Sequence, residues 1–184
     1  MPDKAVFLDR DKTIILPNGD NYIYRIGDFY IPESYNTALK KLYDNGYKLF
    51  VVTNQGRVAK GYMGEEDVVD LHEYLNEIYE GHGFRIEEFA YCPHNPMGHV
   101  RPYNVVCSCR KPKQGMFHDL IERYDVDVTK SWMVGDTERD IVAGNLCGLK
   151  TIMVRTGYHI GSEKADYVED DLAAAAKRIL KTKK

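Results

Sequence analysis

The sequence predicts an α/β fold, a Rossmann-like doubly wound parallel sheet with helices on both faces. Short continuous apolar runs alternate along the chain with longer segments whose apolar residues recur at helical spacing. Three of the apolar runs end at or next to polar side chains, namely Asp9, Thr53 and Asp136. Because ligands bind at the carboxyl ends of parallel strands, we expect these three strand ends to meet in one site.

The first half of the chain predicts two strands, each followed by a helix. Ala5–Leu8 is apolar throughout, as in a strand buried on both faces, and residues 35–43 have helical periodicity that ends near Gly46. A second buried strand over 49–52 precedes a helix over 68–79. The alternation of strand and helix therefore repeats.

The second half continues this alternation after one irregular stretch. A short strand over 89–91 opens into residues 92–112, which hold four of the seven prolines and fit no regular element. The remaining predicted elements are a helix over 116–124, a strand over 132–134, a helix over 141–146, a strand over 151–154 and a helix over 172–180.

The composition is that of an ordinary folded protein. The chain has 184 residues, 43% of them hydrophobic and 29% charged, which suits a single domain over residues 1–184. A net charge of −3 gives no basic surface for nucleic acid. The first residues predict neither a signal peptide nor a membrane span, so we expect a cytoplasmic protein without a membrane partner.

Two carboxylates follow the first predicted strand. Asp9 and Asp11 are two residues apart in extended chain, so their side chains are expected to face the same side while Arg10 points away. Two such carboxylates can bind Mg²⁺, and one can then act as a nucleophile while the other transfers protons. An isolated pair of this kind is usually a solvated acidic turn, so the interpretation depends on its companions.

The companions are Thr53 and Asn54 after the second strand, Lys111 before a helix, and Asp136 and Asp140 after a later strand. Together these segments resemble the four motifs of the haloacid dehalogenase (HAD) superfamily of phosphatases. The matching motifs are Asp9-Arg10-Asp11-Lys12-Thr13, Val51-Val52-Thr53-Asn54, Arg110-Lys111-Pro112 and Val134-Gly135-Asp136-Thr137-Glu138-Arg139-Asp140.

This resemblance implies a magnesium-dependent phosphatase. Asp9 would attack phosphorus and form an aspartyl phosphate, and Asp11 would protonate the leaving alcohol and then activate water. Thr53 and Lys111 would hold the phosphoryl oxygens, as phosphoryl transfer requires. The implied Mg²⁺ ligands are the Asp9 carboxylate, the Asp11 backbone carbonyl and Asp136, with Asp140 placing Lys111 or a metal-bound water.

Lys12 departs from the family pattern, which usually has glycine after the second aspartate. Two interpretations follow from this lysine: ordinary backbone angles, for which glycine is not needed, or an additional cation near the site. We favour ordinary backbone angles.

The irregular stretch carries two pairs of metal-binding residue types, Cys92-Pro93-His94 and Cys107-Ser108-Cys109. Three thiolates and one imidazole complete a tetrahedral shell, which predicts a structural Zn²⁺ and a zinc-binding loop over 92–109. Unlinked buried thiols are the alternative, and His99 is a rival to His94. Outside this loop, Cys147 is expected to pack against the last helix, and His72 to lie at the surface without a role.

The loop pattern and residues 53–61 resemble one branch of the superfamily, the heptose bisphosphate and histidinol-phosphate phosphatases. This branch is mostly without a large cap domain, and no insertion here is long enough to form one. By family resemblance we also expect a monomer. Asn54, Arg57, Lys60 and Arg110 are the candidate substrate-binding residues.

Charge outside the reaction centre distinguishes the two substrates of this branch. Arg57, Lys60 and Arg110 could bind a second phosphate, whereas histidinol phosphate would favour carboxylates, and none stand out in these loops. We therefore expect a small phosphorylated metabolite, D-glycero-D-manno-heptose 1,7-bisphosphate, hydrolysed at carbon 7. Histidinol phosphate is the alternative substrate. A catalytically silent zinc-bearing interaction module and a phosphatase of nucleic-acid ends are the alternatives of other kinds.

Overall fold

The computed structural model describes residues 2–19 and 22–182. The strands are β1 (Ala5–Leu8), β2 (Leu16–Pro17), β3 (Phe29–Tyr30), β4 (Lys48–Asn54), β5 (Glu88–Cys92), β6 (Trp132–Gly135), β7 (Lys150–Val154) and β8 (Tyr167–Glu169). The helices are α1 (Glu33–Asp44), α2 (Glu65–Gly81), α3 (Gly115–Arg123), α4 (Glu138–Leu146) and α5 (Leu172–Lys181).

The main sheet contains six parallel strands in the order β5-β4-β1-β6-β7-β8. Strand β1 lies at its centre, and the chain moves outward from β1 in one direction through β4 and β5, and in the other through β6, β7 and β8. The order therefore reverses around β1, which is the switch point where doubly wound folds bind ligands. The predicted fold class is confirmed.

Helices cover both faces of this sheet. On one face α1, α2 and α5 contribute Leu39, Leu71 and Ile179 to a large apolar cluster, and on the other face α3 and α4 contribute Phe117 and Ala143 to a second cluster. Strand β1 supplies alternate residues to the two clusters. This double burial is why its sequence is apolar throughout rather than alternating.

No separate cap domain interrupts the described part of the chain. Between β1 and α1 the described residues form only the small antiparallel pair of β2 and β3, so the predicted absence of a large cap domain is confirmed. No described helix has the length and apolar character needed to cross a bilayer.

Some features differ from the sequence prediction. Strands β2, β3 and β8 were not predicted, because runs of two or three residues carry too little periodicity to identify a strand. The expectation that Cys147 packs against the last helix is wrong. Cys147 packs against the cluster formed by α3 and α4, on the opposite face of the sheet from α5.

Candidate active site

The candidate site lies at the carboxyl ends of β1, β4 and β6. Asp9 follows β1, Thr53 lies near the end of β4 and Asp136 follows β6, and all three line one pocket with a volume of about 290 Å³. That volume is at the lower end of the range for small-molecule sites, which is about 300–1,000 Å³. The pocket therefore suits a small metabolite.

Lys111 is buried in this pocket between two carboxylates. Its ammonium lies 2.9 Å from Asp9 Oδ1 and 2.5 Å from Asp140 Oδ1, and it donates a hydrogen bond of 2.6 Å to the carbonyl oxygen of Val52. Burial alone would lower the pKa of Lys111, but the charges of Asp140 and Asp9 outweigh it and raise that pKa. Lys111 is therefore a fixed cation beside Asp9.

Asp140 also supports the start of α4. Its Oδ2 accepts hydrogen bonds from the Thr137 backbone N–H at 3.0 Å and from the Thr137 hydroxyl at 2.6 Å. One oxygen of Asp140 thus caps the helix while the other contacts Lys111. This arrangement links the helix terminus to the position of the ammonium.

Asp9, Asp136 and Asp140 form a cluster in which one carboxylate oxygen from each lies within 4.8 Å of the others. Burial raises the pKa of Asp9 to about 6 and that of Asp136 to about 9, and like charges within the cluster add to both shifts. A hard divalent cation with oxygen ligands would stabilise the ionised forms of these carboxylates. The donor set therefore fits Mg²⁺.

Asp11 is held by side chains that the sequence did not predict to be near it. Arg10 Nε donates to Asp11 Oδ1 at 2.8 Å and Arg10 Nη2 donates to Asp11 Oδ2 at 3.3 Å. The expectation that Arg10 points away from Asp11 is wrong. Gln55 Nε2 donates to Asp11 Oδ2 at 3.2 Å and to the Thr53 hydroxyl at 2.9 Å, so Gln55 joins the two motifs.

His72 is buried, with 6% of its surface exposed, so its predicted surface position is wrong. Its Nε2 lies 3.1 Å from Arg10 Nη1. Burial, and then the charge of Arg10, hold the pKa of His72 well below its usual range. His72 lies with Val68, Leu71 and Leu75 on the apolar face of α2, and this helical periodicity could have identified it as buried.

Asn54 lines the pocket but also fixes the loop that carries Lys111. Asn54 Nδ2 donates to the Lys111 carbonyl oxygen at 3.0 Å, and Asn54 Oδ1 accepts from the Lys111 backbone N–H at 3.0 Å. The Asn54 side chain thus pairs with both the backbone N–H and the backbone carbonyl of Lys111. Asn54 therefore anchors the backbone of the adjacent motif.

Lys12 has a backbone φ of +62°, in the left-handed region that favours glycine. The preference for ordinary backbone angles is therefore wrong. The Thr156 hydroxyl donates a hydrogen bond to the Lys12 carbonyl oxygen, and the Lys12 ammonium lies 3.4 Å from the ring centroid of Tyr158. Lys12 and Tyr158 both line the pocket, so the second interpretation of Lys12, as an added cation, agrees with its position.

Cations surround the reaction centre. Besides Lys111, the cationic side chains that line the pocket are Lys12, Arg57, Lys60, Arg110 and Arg139. Arg57 lies 3.5 Å from the ring centroid of Tyr22, which fixes its guanidinium at the pocket mouth. Among the residues that the structure describes, every carboxylate lining the pocket belongs to Asp9, Asp11, Asp136 or Asp140.

Arg139 was not predicted as a site residue. It lies in the first turn of α4, next to Asp140, and its charge adds to the lowering of the Arg110 pKa that burial causes. Its position could have identified it as a site residue, because Arg139 lies inside the motif that supplies Asp136 and Asp140. Two guanidinium groups therefore lie near each other on one side of the pocket.

The four predicted zinc ligands lie together. The Sγ atoms of Cys92, Cys107 and Cys109 are separated by 3.2 to 3.6 Å, and His94 Nδ1 lies 3.4 Å from Cys109 Sγ and 3.7 Å from Cys92 Sγ. Thiolates on one tetrahedral Zn²⁺ with bonds of about 2.3 Å lie about 3.8 Å apart. The cluster fits a closed four-ligand zinc site, and it contains His94 rather than His99.

This loop contacts the pocket through Arg110. Arg110 Nη1 donates to the carbonyl oxygen of His94 at 3.0 Å. The guanidinium passes over Gly56, where a Cβ atom would lie 2.8 Å from Arg110 Nη1. Arg110, which lies between Cys109 and Lys111 in the chain, is therefore held against the loop over 92–109.

Comparisons with known proteins identify sequences similar to this chain. The HAD-hydrolase-like family profile matches residues 108–176. The D-glycero-beta-D-manno-heptose-1,7-bisphosphate 7-phosphatase of Haemophilus ducreyi is 42% identical over 177 residues, covering 94% of this chain and 96% of the relative. The enzyme of the same name from Pasteurella multocida is 37% identical over 180 residues, covering 96% of each chain.

A solved structure is also similar over nearly the whole chain. It is the D,D-heptose 1,7-bisphosphate phosphatase of B. bronchiseptica, complexed with magnesium and phosphate. The two chains are 27% identical, with a TM-score of 0.84, and the match covers 98% of this chain and 99% of the other.

Proposed function

The chain belongs to the HAD superfamily, in the family of the heptose bisphosphate 7-phosphatases, and we propose that it removes the 7-phosphate of D-glycero-β-D-manno-heptose 1,7-bisphosphate. The relatives from Haemophilus ducreyi and Pasteurella multocida carry that activity and that anomer in their names. Their match extends over 94% and 96% of this chain.

The observation that carries the choice of substrate is the charge around the reaction centre. Cations line the pocket beyond Asp9, while its carboxylates, among the residues with a described position, are confined to the reaction centre. A second phosphate on the substrate would be attracted to such a rim. The ammonium of histidinol phosphate would be repelled by it.

In the proposed reaction, Asp9 attacks phosphorus as the bond from phosphorus to the C7 oxygen breaks. Asp11 gives its proton to the leaving oxygen, so the heptose 1-phosphate departs with a free C7 hydroxyl. Asp11 then takes a proton from water, whose oxygen attacks phosphorus and releases Asp9 and inorganic phosphate. Lys111 and Thr53 hold the phosphoryl oxygens, a role supported for Lys111 by its 2.9 Å contact with Asp9.

The proposed ligands of Mg²⁺ are the carboxylates of Asp9 and Asp136 and the backbone carbonyl of Asp11. When bound, the ion neutralises the carboxylate cluster and the phosphate, so that one anion can approach another. Asp140 keeps Lys111 in position through the 2.5 Å contact between their charged groups. Magnesium in the related B. bronchiseptica enzyme supports this choice of ion.

A structural Zn²⁺ in the loop over 92–109 is part of the proposal. Its proposed ligands, Cys92, His94, Cys107 and Cys109, fill a tetrahedral shell and leave no open position for chemistry. The proposed substrate-binding residues are Asn54, Arg57, Lys60 and Arg110. We also propose that residues 1–184 form one catalytic domain that acts as a cytoplasmic monomer on a small metabolite.

Steady-state kinetics with Mg²⁺ test the function. We expect a higher kcat/KM for the heptose bisphosphate than for histidinol phosphate, and loss of both activities in Asp9→Asn. A higher kcat/KM for histidinol phosphate would overturn the proposed substrate. Equal hydrolysis of p-nitrophenyl phosphate by the wild type and Asp9→Asn would favour a silent interaction module instead.

A further inference from the structure

We propose that His72 is a positioning residue for Asp11 and acts through Arg10. The inference rests on the proposed function, because it takes Asp11 as the residue that transfers protons. It concerns a buried side chain on α2 that neither binds metal nor lines the pocket.

The first step of the argument is the contact between Arg10 and Asp11. The Arg10 side chain is fully buried, and its Nε and Nη2 atoms face the two oxygens of Asp11 at 2.8 and 3.3 Å. A guanidinium in this fork-like contact fixes the plane of the carboxylate as well as its distance. The Asp11 side chain is 36% exposed, and besides Arg10 its carboxylate accepts a hydrogen bond of 3.2 Å from Gln55, to one oxygen only.

The second step is the contact behind the guanidinium. Arg10 Nη1 lies 3.1 Å from His72 Nε2. A guanidinium has only N–H donors, so His72 Nε2 must be the unprotonated acceptor and the proton of the neutral ring must lie on Nδ1. His72 therefore fixes the edge of Arg10 that does not face Asp11.

The third step is the packing that fixes His72 itself. Its ring stacks on Phe89 with centroids 4.6 Å apart and planes inclined by 19°, and the ring of Tyr91 meets it edge-on at 5.7 Å. Both aromatic residues lie on β5. The imidazole therefore cannot rotate away from Arg10 without repacking the interface between α2 and the sheet.

The identity of the acceptor matters as well as its position. A carboxylate at position 72 would compete with Asp11 for the single guanidinium, whereas a neutral imidazole accepts a hydrogen bond and leaves the charge of Arg10 to Asp11. Proton transfer needs a donor held within a narrow range of distance and angle of the leaving oxygen. His72 thus orients Arg10, and Arg10 orients Asp11.

The test compares His72→Leu with His72→Gln, since the Gln side chain is neutral and can accept from Arg10 while Leu cannot. The substrates are the heptose bisphosphate and a series of phenyl phosphates whose phenols differ in acidity. An alkoxide leaves only with a proton from Asp11, whereas p-nitrophenolate leaves without one. This contrast separates a positioning role from a general loss of folded enzyme.

In His72→Leu we expect kcat/KM for the bisphosphate to fall about 10- to 100-fold, a part of what general acid catalysis contributes. We expect kcat/KM for p-nitrophenyl phosphate to stay within about twofold of the wild type. Across the phenyl phosphates, kcat/KM declines as the pKa of the phenol rises, and we expect this decline to be steeper in His72→Leu. His72→Gln should restore most of the lost activity. Leu75→Ala on the same helix should destabilise the protein without steepening that decline.

An equal loss for all esters in His72→Leu, or no loss for any, would overturn the assignment. So would a folded His72→Gln that is as slow as His72→Leu. The phenyl phosphate series keeps this test separate from the proposed function. If the wild type hydrolyses the series but not the heptose bisphosphate, the substrate is wrong while the series still decides the role of His72.

Discussion

Arg110 Nη1 lies 3.0 Å from the carbonyl oxygen of His94, so a cation of the substrate pocket is held by the zinc-binding loop. The next residue, Lys111, is held separately by Asn54 and by contacts with Asp9 and Asp140. We therefore expect a change in the loop over 92–109 to affect substrate binding, through Arg110, more than the chemical step, through Lys111.

Removal of zinc should weaken substrate recognition more than chemistry. In zinc-free protein restored with excess Mg²⁺, we expect KM for the heptose bisphosphate to rise about 10-fold or more, since hydrogen bonds with charged groups contribute about 1.5–3 kcal/mol. Turnover of p-nitrophenyl phosphate, which has no second phosphate, should change little. Cys109→Ser should reproduce this difference, and Cys147→Ser, outside the cluster, should not. Equal losses with both substrates would contradict the prediction.

The two roles of Asp140 can be separated by substitution. Asp140→Asn keeps an oxygen that can accept from Thr137 but loses the charge beside Lys111, so kcat should fall about 100-fold, comparable with loss of one electrostatic donor. Asp140→Ala should show the same loss of kcat and an additional loss of about 1 kcal/mol in the free energy of unfolding, because the helix cap is removed. Kinetics and urea unfolding of both variants provide the check.

The stability of metal-free protein should fall as pH rises from about 5 to about 8. Burial raises the folded-state pKa of Asp9 to about 6 and of Asp136 to about 9, both from 3.8. A group whose pKa is raised on folding stabilises the protein below its unfolded pKa, and that stabilisation is lost as pH rises through the folded pKa.

Mg²⁺ should reverse this trend, because it binds the ionised carboxylates and competes with protons. We expect its affinity, measured by calorimetry, to increase over the same pH range. Asp136→Asn should flatten the stability profile of the metal-free protein. Since the lowered pKa of His72 makes an opposite contribution to the slope, the variant is the deciding control: equal slopes for wild type and Asp136→Asn would show that Asp136 does not fold in the protonated form.

Lys12→Gly should separate the backbone and charge effects of Lys12. Glycine accommodates the φ of +62°, so the free energy of unfolding should stay unchanged or rise by about 1 kcal/mol. Loss of the ammonium from the pocket should raise KM for the bisphosphate. Lys12→Met, which removes the charge but keeps the strained backbone, should raise KM similarly without the gain in stability. An unchanged KM in both variants would exclude Lys12 from recognition.

The sequence predicted the parts of the site that depend on the backbone. Asp9, Thr53 and Asp136 follow buried strands, and parallel strands bring their carboxyl ends to one edge, so convergence follows from topology. The clustering of Cys92, His94, Cys107 and Cys109 was predictable for a similar reason, because two pairs of residues at short spacing restrict the possible geometry.

The parts that depend on side-chain direction and loop conformation were not predicted. Alternation in an extended chain places Arg10 opposite Asp11, but the chain turns immediately after β1 and the long arginine side chain returns to its neighbour. The positive φ of Lys12 arises in the same turn. Arg139 was missed because its role in the pocket depends on its distance in space from Arg110. The two residues lie in different motifs, and the sequence does not show how far apart they are.

Arg110 is anchored by His94 and Lys111 by Asn54, so two residues joined by one peptide bond are held by different parts of the protein. The loop over 92–109 contacts the pocket through Arg110, whereas Lys111 is held by Asn54, Asp9 and Asp140, none of which belongs to that loop. Insertions or substitutions in the zinc-binding loop could then give new substrate ranges to an unchanged reaction centre. This stretch of chain is accordingly the place where we would begin to redesign the enzyme for a different phosphate ester.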